Sequence, residues 1–262
     1  MSSLENALKI MLLLNRNRPV LRVGEVCREI GIPKSSVSRL LKTLSDYGMV
    51  ERENGDTGYV AGPRSLMLAD LYSSQHTLLD LVEVSLSRLT EEFGFAGYVS
   101  VLSGADIVII RVQHGSYPLR LVQELGQPMP AYRTSVGQAL MAYLDDDEVC
   151  RRARETADDA STDAAILEKI GDVRRYGAAW TESAVIPGIA ALAVAVRDPK
   201  KDEALGFSIS YPTSAVDPNM RTRMFSRIRE EAHSIGTRLR DPFWTDRSLP
   251  DWPVPDLSAS DG

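Results

Sequence analysis

The sequence predicts an α+β chain. A winged helix-turn-helix stands at its N-terminus, a linker helix follows, and a larger domain has a central antiparallel sheet flanked by helices. Three observations predict this. Within the first 61 residues, three short amphipathic stretches run into two short strands around a glycine-bearing turn. From about residue 98 the apolar pattern shortens to that of strands, and these strands are interleaved with longer helical stretches. Charge is divided as well: residues 1–65 hold ten Lys/Arg against seven Asp/Glu, whereas the remainder holds 20 against 29, so a basic part stands apart in a chain of net charge −6.

The elements follow in order. Leu4, Ala7, Leu8, Met11 and Leu14 recur at helical spacing, with Ser2 or Ser3 placed to cap them and residues 16–19 placed to end them. A second helix over 23–30 turns Val23, Val26, Cys27 and Ile30 inward and breaks at Gly31. Pro33 opens a third, which runs to about Tyr47 and stops at Gly48. Residues 49–52 and 59–61 read as strands around the turn at 54–58. Residues 64–74 form a linker helix and 76–93 a long amphipathic helix. Strands are then expected at 98–102, 107–113, 119–122, 178–182, 189–196 and 204–211. Between them lie helices at 135–144 and through the charged stretch 145–177, whose acidic start (Asp145 to Glu148) suits a helix N-terminus. A closing helix spans 219–240. The Pro- and Asp-rich tail from Asp241 is expected to lack a fold of its own, with Trp244 and Trp252 able to pin it to the body. The expected organisation is therefore 1–63, a linker at 64–75, a second domain at 76–240 and a tail at 241–262.

Composition narrows the function. Hydrophobic residues at 44 % and charged residues at 25 % are ordinary for a globular protein. The two cysteines, Cys27 and Cys150, lie too far apart in sequence to read as a metal knuckle or a disulfide framework. His76, His114 and His233 show no ligand spacing, so no metal is expected. No phosphate-binding loop, dinucleotide fingerprint or nucleophile elbow occurs, and no catalytic residue or cofactor is assigned. The opening MSSLENALKIMLLLN has no cationic leader, and no apolar run approaches the ~18–20 residues that span a membrane. A soluble protein of the reducing cytoplasm, with no membrane partner, is expected.

The stretch IPKSSVSRLLKTLS points to a partner. On a helical wheel Val37, Leu40, Leu41 and Leu44 share one face. Ser35, Arg39 and Lys42 take the opposite face, flanked by Lys34, Ser36, Ser38 and Thr43, and the one acid, Asp46, comes at the far end. A helix entering a DNA major groove needs short side chains near its start, hydroxyls for phosphates and base edges, and Arg or Lys for guanine or phosphate. With Arg22 before the second helix and Arg52 in the hairpin, this set makes double-stranded DNA the expected partner.

The segments LKIMLLLN, LRVGEVCREIGIPKSSVSRLLKTLSDYGMVER and GYVAGPRSLMLA resemble the N-terminal half of the IclR (isocitrate-lyase regulator) family of bacterial transcription factors. GQPMPAYRTSVGQALMAYL, RRYGAAWTESAVIPGIAALAVAVRD and ALGFSISYP are similar to motifs of its C-terminal half, so the resemblance covers about residues 4–240. It implies a GAF-like effector domain, a homodimer or tetramer on a palindromic operator, and control by a small organic acid from a catabolic pathway. Carried over by position, it implies an effector site with the amides of Val136 and Gly137, the hydroxyls of Ser208 and Ser210, and an apolar wall from Leu119 and Val122. Thr181, followed by Glu182, stands where small-acid binders of the family place an acid; Ala191 stands at a cysteine position, and Gln138 replaces the lysine of a G-K-A motif. These departures point to a larger, partly apolar acid, such as an aromatic carboxylate. The rival reading is a small-acid-converting enzyme that uses an appended helix-turn-helix for oligomerisation; the lack of an acid–base pair at motif spacing argues against it.

Overall fold

A computed structural model of the protein describes residues 2–15, 18–53, 57–75, 77–118, 125–126, 128–157, 162–246 and 248–250. The chain forms two compact units that divide between Thr77 and Leu78.

The first unit begins with α1 (Ser3–Leu12), capped by the Ser2 hydroxyl, which accepts the Glu5 N–H at 3.1 Å. Next come α2 (Val23–Ile30) and α3 (Lys34–Asp46). The three helices close on Ile10, Leu21, Val26, Val37 and Leu41, with Leu40 and Leu44 packed at the margin. The tight turn between α2 and α3 depends on Gly31, whose φ of +73° is left-handed and whose N–H bonds Cys27 O at 3.0 Å. Cys27 Sγ in turn donates to Ile32 O at 3.0 Å, so this cysteine braces the turn. The wing is an antiparallel pair, β1 (Val50–Arg52) and β2 (Tyr59–Ala61). β2 also exchanges backbone hydrogen bonds with Leu21 at 2.8 and 2.9 Å, which ties the wing to the residue before Arg22. That bridge has no local sequence signal. α4 (Pro63–Gln75) is anchored at its start by the Arg64 N–H on Gly48 O at 3.1 Å.

The second unit starts with α5 (Thr77–Phe93). β3 (Ala96–Ser103), β4 (Asp106–Gln113) and β5 (Pro128–Pro130) follow. Then come α6 (Ser135–Met141), α7 (Asp146–Arg154) and α8 (Asp163–Tyr176). β6 (Ala179–Glu182), β7 (Ile189–Asp198) and β8 (Glu203–Pro212) complete a six-stranded antiparallel sheet of order β5-β4-β3-β8-β7-β6. α9 (Pro218–Leu239) and a short α10 (Pro242–Thr245) end the described chain. One sheet face packs Ile107, Ile109, Ala193 and Ala195 against Val136 and Leu140 of α6, with Val149 and Ile170 of α7 and α8 beyond. α9 covers the other face over β7, α5 lies there against Gly97 of β3, and the two helices are joined by Arg227 on Glu92 at 3.0 Å. Cover on both faces explains why β7 and β8 read as nearly continuous apolar runs rather than alternating ones.

Three expectations change. The stretch 145–177 is two helices, because Asp145 caps α7 by accepting the Glu148 N–H at 2.8 Å and Thr162 caps α8 by accepting the Ala165 N–H at 3.3 Å. β5 was not expected: Pro-Met-Pro has no strand signature, and only an edge position accepts its prolines. The chain from Asp241 takes on structure at its start, as a short helix α10, and Trp244 pins it to the body as the sequence allowed. Trp244 is 1 % exposed and its Nε1 donates to Ala195 O at 2.9 Å. The Asp241 carboxylate is buried and accepts from the Tyr143 hydroxyl at 2.7 Å and the Arg197 N–H at 2.8 Å. The strand expected at 119–122, and Trp252, lie outside the described residues.

Candidate nucleic-acid interface and ligand cavity

α3 presents two different faces. Val37 and Leu41 are fully buried, whereas Lys34, Ser35, Ser38, Arg39 and Lys42 are exposed and Ser36 is half-buried. No acidic residue lies in the first turn, and Pro33 supplies no side-chain cap. The amides at the start of α3 therefore add positive potential to the same end. Among the described residues Lys34, Arg39 and Lys42 have no carboxylate within ion-pair distance, whereas Arg151, Arg174 and Arg227 are each paired. Arg52 is exposed in the wing, with its guanidinium 5.4 Å from the Tyr59 ring centroid and Nη2 donating to Tyr59 Oη at 3.4 Å. Arg22 is exposed at the N-cap of α2, beside the Leu21–Tyr59 bridge. One fold feature thus positions both flanking arginines, and α3 carries unpaired cations among short hydroxyl side chains.

The second site is a cavity of about 40 Å³ between the sheet and the start of α6. Cross-strand register builds its floor: Thr181 lies opposite Ala191, which lies opposite Ser210, and in the neighbouring row Ser208 lies opposite Tyr98. Thr181, Ala191, Ser208 and Ser210 all line it, as does Val136 of α6. Ile107, Ile109 and Met129 form one apolar wall; Val185, Ile186 and Ile189 form another. Val185 and Ile186 belong to the β6–β7 loop, which is closed by the Gly188 N–H on Ser183 Oγ at 3.0 Å.

Two residues carried over by position do not reach this cavity. Gly137 spends its amide on Thr134 Oγ1 at 3.0 Å, and a Cβ there would stand 2.1 Å from Ala131 O, so its place is explained by close packing of α6 on the preceding turn. Glu182 follows Thr181 on the strand, points to the opposite side and is exposed, bordering a separate surface hollow beside Lys169 and Asp172. Gln138 is also turned away: its Nε2 donates to Tyr132 O at 2.9 Å, so the missing lysine says nothing about the polarity of the cavity. Leu119 and Val122 lie outside the described residues.

Of the polar residues that line it, Tyr98, Ser100, Thr134 and Ser135 were not singled out in the sequence. Tyr98 is buried, and burial pushes its phenol up to about 12, so it stays a neutral hydroxyl. Ser100 is 0 % exposed. The signal was present as the Y-x-S pair at period two in an otherwise apolar strand. Among the described residues no group of three His, Cys, Asp or Glu side chains could hold a metal ion, and no helix is long and apolar enough to cross a membrane.

Comparison with known proteins agrees with this two-part reading. The family profile described as "IclR helix-turn-helix domain" matches residues 3–54, and that described as "Bacterial transcriptional regulator IclR C-terminal" matches residues 71–237. The chain is 29 % identical over 251 residues to the HTH-type transcriptional regulator KdgR of Escherichia coli, covering 91 % of this chain and 92 % of that one. It is 25 % identical over 243 residues to the transcriptional repressor IclR of Escherichia coli, covering 89 % and 88 %. Its fold matches the crystal structure of an IclR homologue complexed with 4-hydroxybenzoate from Microbacterium hydrocarbonoxydans, with a TM-score of 0.77 at 17 % identity, over 91 % of this chain and 99 % of that one.

Proposed function

The chain belongs to the IclR family of bacterial transcriptional regulators, and from that premise we propose that it is a cytoplasmic regulator whose hold on a palindromic operator is set by a small carboxylic acid in the cavity of its second unit. The observation that carries the DNA reading is the unpaired cationic face of α3. Arg39 reads a base edge from the major groove. Lys34 and Lys42 neutralise phosphates, Ser35, Ser36 and Ser38 allow close approach and bond the backbone, and Arg22 and Arg52 clamp the flanking phosphates.

For the effector, Ser208 and Ser210 offer hydroxyls to the acid, while Val136, Ala191 and the isoleucines offer an apolar body. Leu119 and Val122 remain part of the proposed wall; Gly137 and Glu182 do not. An aromatic acid fits this mixture of linings, as the 4-hydroxybenzoate complex of a structural relative illustrates. The cavity as it stands has room for a few waters, far below the roughly 300–1,000 Å³ of a small-molecule site. Entry of such an acid therefore requires the cavity to widen.

A palindromic operator calls for a dimer or a tetramer of the chain. Leu4, Leu8 and Leu12 of α1, at 70, 53 and 79 % exposure, are apolar residues at helical spacing that such an assembly would cover. The linker helix α4 is the segment through which the acid would bias the assembly, and it can do so only by as much as its affinity differs between the two states. A gel shift with DNA from upstream of the chain's own gene tests the reading. A shift that a carboxylic acid releases or strengthens is expected. Turnover of such an acid with no shift at any protein concentration would favour the enzyme instead.

A further inference from the structure

The cavity holds a hydrogen-bonding group that the folded chain leaves unused. Ser100 Oγ is buried, and among the described residues it has no hydrogen-bond partner. Among the described residues that line the cavity it is the only such buried side-chain oxygen. Leaving a hydroxyl unmatched in a sheet covered on both faces costs stability, so a serine there needs a reason that alanine would not meet.

Its position supplies one. Ser100 lies opposite Gly206 on β8, while Tyr98 lies opposite Ser208. Ser100 is thus one two-residue step along the sheet from the Ser208 row, about 7 Å at the usual rise of a strand. Ile107, Ile109 and Val136 line the same cavity. Polar groups one step apart beside apolar walls match a molecule with two polar ends and a flat or aliphatic middle, roughly the length of a benzene ring with its two para substituents.

We propose that Ser100 reads a second polar group on the effector, a hydroxyl or carbonyl oxygen at the end remote from the carboxylate, so that the effector is a hydroxy- or oxo-substituted carboxylic acid and not a plain hydrocarbon acid. This rests on the effector reading above and assigns Ser100 as its specificity residue. A serine hydroxyl both donates and accepts, so it serves either substituent. A site with a buried hydroxyl rejects the analogue that leaves it unpaired, which is a stronger filter than size alone.

The test uses the full chain, wild type and Ser100→Ala, with two matched pairs of acids: 4-hydroxybenzoate against benzoate, and 4-oxocyclohexanecarboxylate against cyclohexanecarboxylate. Affinities come from calorimetry and melting temperatures from calorimetric scans. Wild type is expected to bind the substituted member of at least one pair about tenfold tighter or more. Ser100→Ala is expected to remove that preference by weakening the substituted acid alone. Without ligand, Ser100→Ala is expected to melt at the same temperature or a few degrees higher, because an unmatched hydroxyl has gone. The proposal is overturned if the variant weakens both members of a pair alike, if wild type prefers the unsubstituted acids, or if the ligand-free variant melts several degrees lower. It is also overturned if no acid binds at millimolar concentration. In that last case a gel shift by the same protein would keep the DNA reading standing while the effector reading fails.

Discussion

Arg39 and Arg227 show how the surroundings of a single residue separate function from scaffolding. Arg227 is held by Glu92 and Glu231 at 3.0 and 3.2 Å and binds one helix to another, whereas Arg39 projects from α3 with no carboxylate partner among the described residues. Replacing Arg39 with alanine is expected to cost about 1–3 kcal/mol on the preferred operator and to relax discrimination at one base position. Lys42→Ala is expected to weaken all sequences alike and to reduce the salt slope by about one. Competition binding at several salt concentrations separates the two. Tyr98 gives a prediction of another kind. Its phenol is raised from 10.0 to about 12 by burial. Below pH 10 the folded and unfolded states are both protonated there and the contribution is constant. Between about pH 10 and 12 the unfolded state loses its proton first, so stability falls as pH rises, by up to ~1.4 kcal/mol per pH unit. Tyr98→Phe is expected to flatten that fall in chemical denaturation curves. The face of α3 was legible in the sequence because helical spacing alone sorts Val37 and Leu41 from Ser35, Arg39 and Lys42. Ser100 was legible only as a polar residue two after Tyr98; its place in the cavity depends on its pairing with Gly206 of a strand distant in sequence.

Elements were legible where local chemistry decides them. α2 ends at Gly31 because the left-handed turn needs it, and its bounds follow from the sequence. Long-range contacts defeated the reading elsewhere. β5 exists because Met129 pairs with Ile107 at a sheet edge, and nothing in Pro-Met-Pro announces a strand. The anchoring of Trp244 was expected but the helix α10 was not; it forms where Trp244 finds Ala195 O, 49 residues back in the chain. Trp244→Ala is accordingly expected to cost about 3–5 kcal/mol, read from urea curves of the full chain. A chain ended at Arg240 also loses the buried Asp241 carboxylate, which takes that acceptor from the Tyr143 hydroxyl and the Arg197 N–H, and is expected to lose at least as much. In α7, by contrast, Arg151 and Arg152 hold Glu148 down to about 2. That group is half-buried at the surface and its ion pairs are screened by salt, so Glu148→Gln is expected to leave the urea midpoint within error.

At the scale of the whole molecule, the two units divide the work. The first carries a cationic face outward on a small three-helix core, and the second encloses a cavity with an unmatched hydroxyl. The division was visible in the charge distribution, +3 over residues 1–65 and −9 beyond, because a polyanion partner calls for cations on the unit that meets it. Which residues of the second unit face the cavity was not visible, since strand register separates Thr181 from Glu182 and α6 packing separates Val136 from Gly137. The central claim is that the outward face of α3 reads DNA. The most direct measurement is fluorescence anisotropy of wild type and Arg39→Ala on a labelled duplex recovered by selection from genomic fragments. An inverted repeat is the expected selected sequence, with wild-type affinity falling linearly in log salt and Arg39→Ala about tenfold weaker or more. Unchanged affinity and unchanged sequence preference in Arg39→Ala would contradict the account.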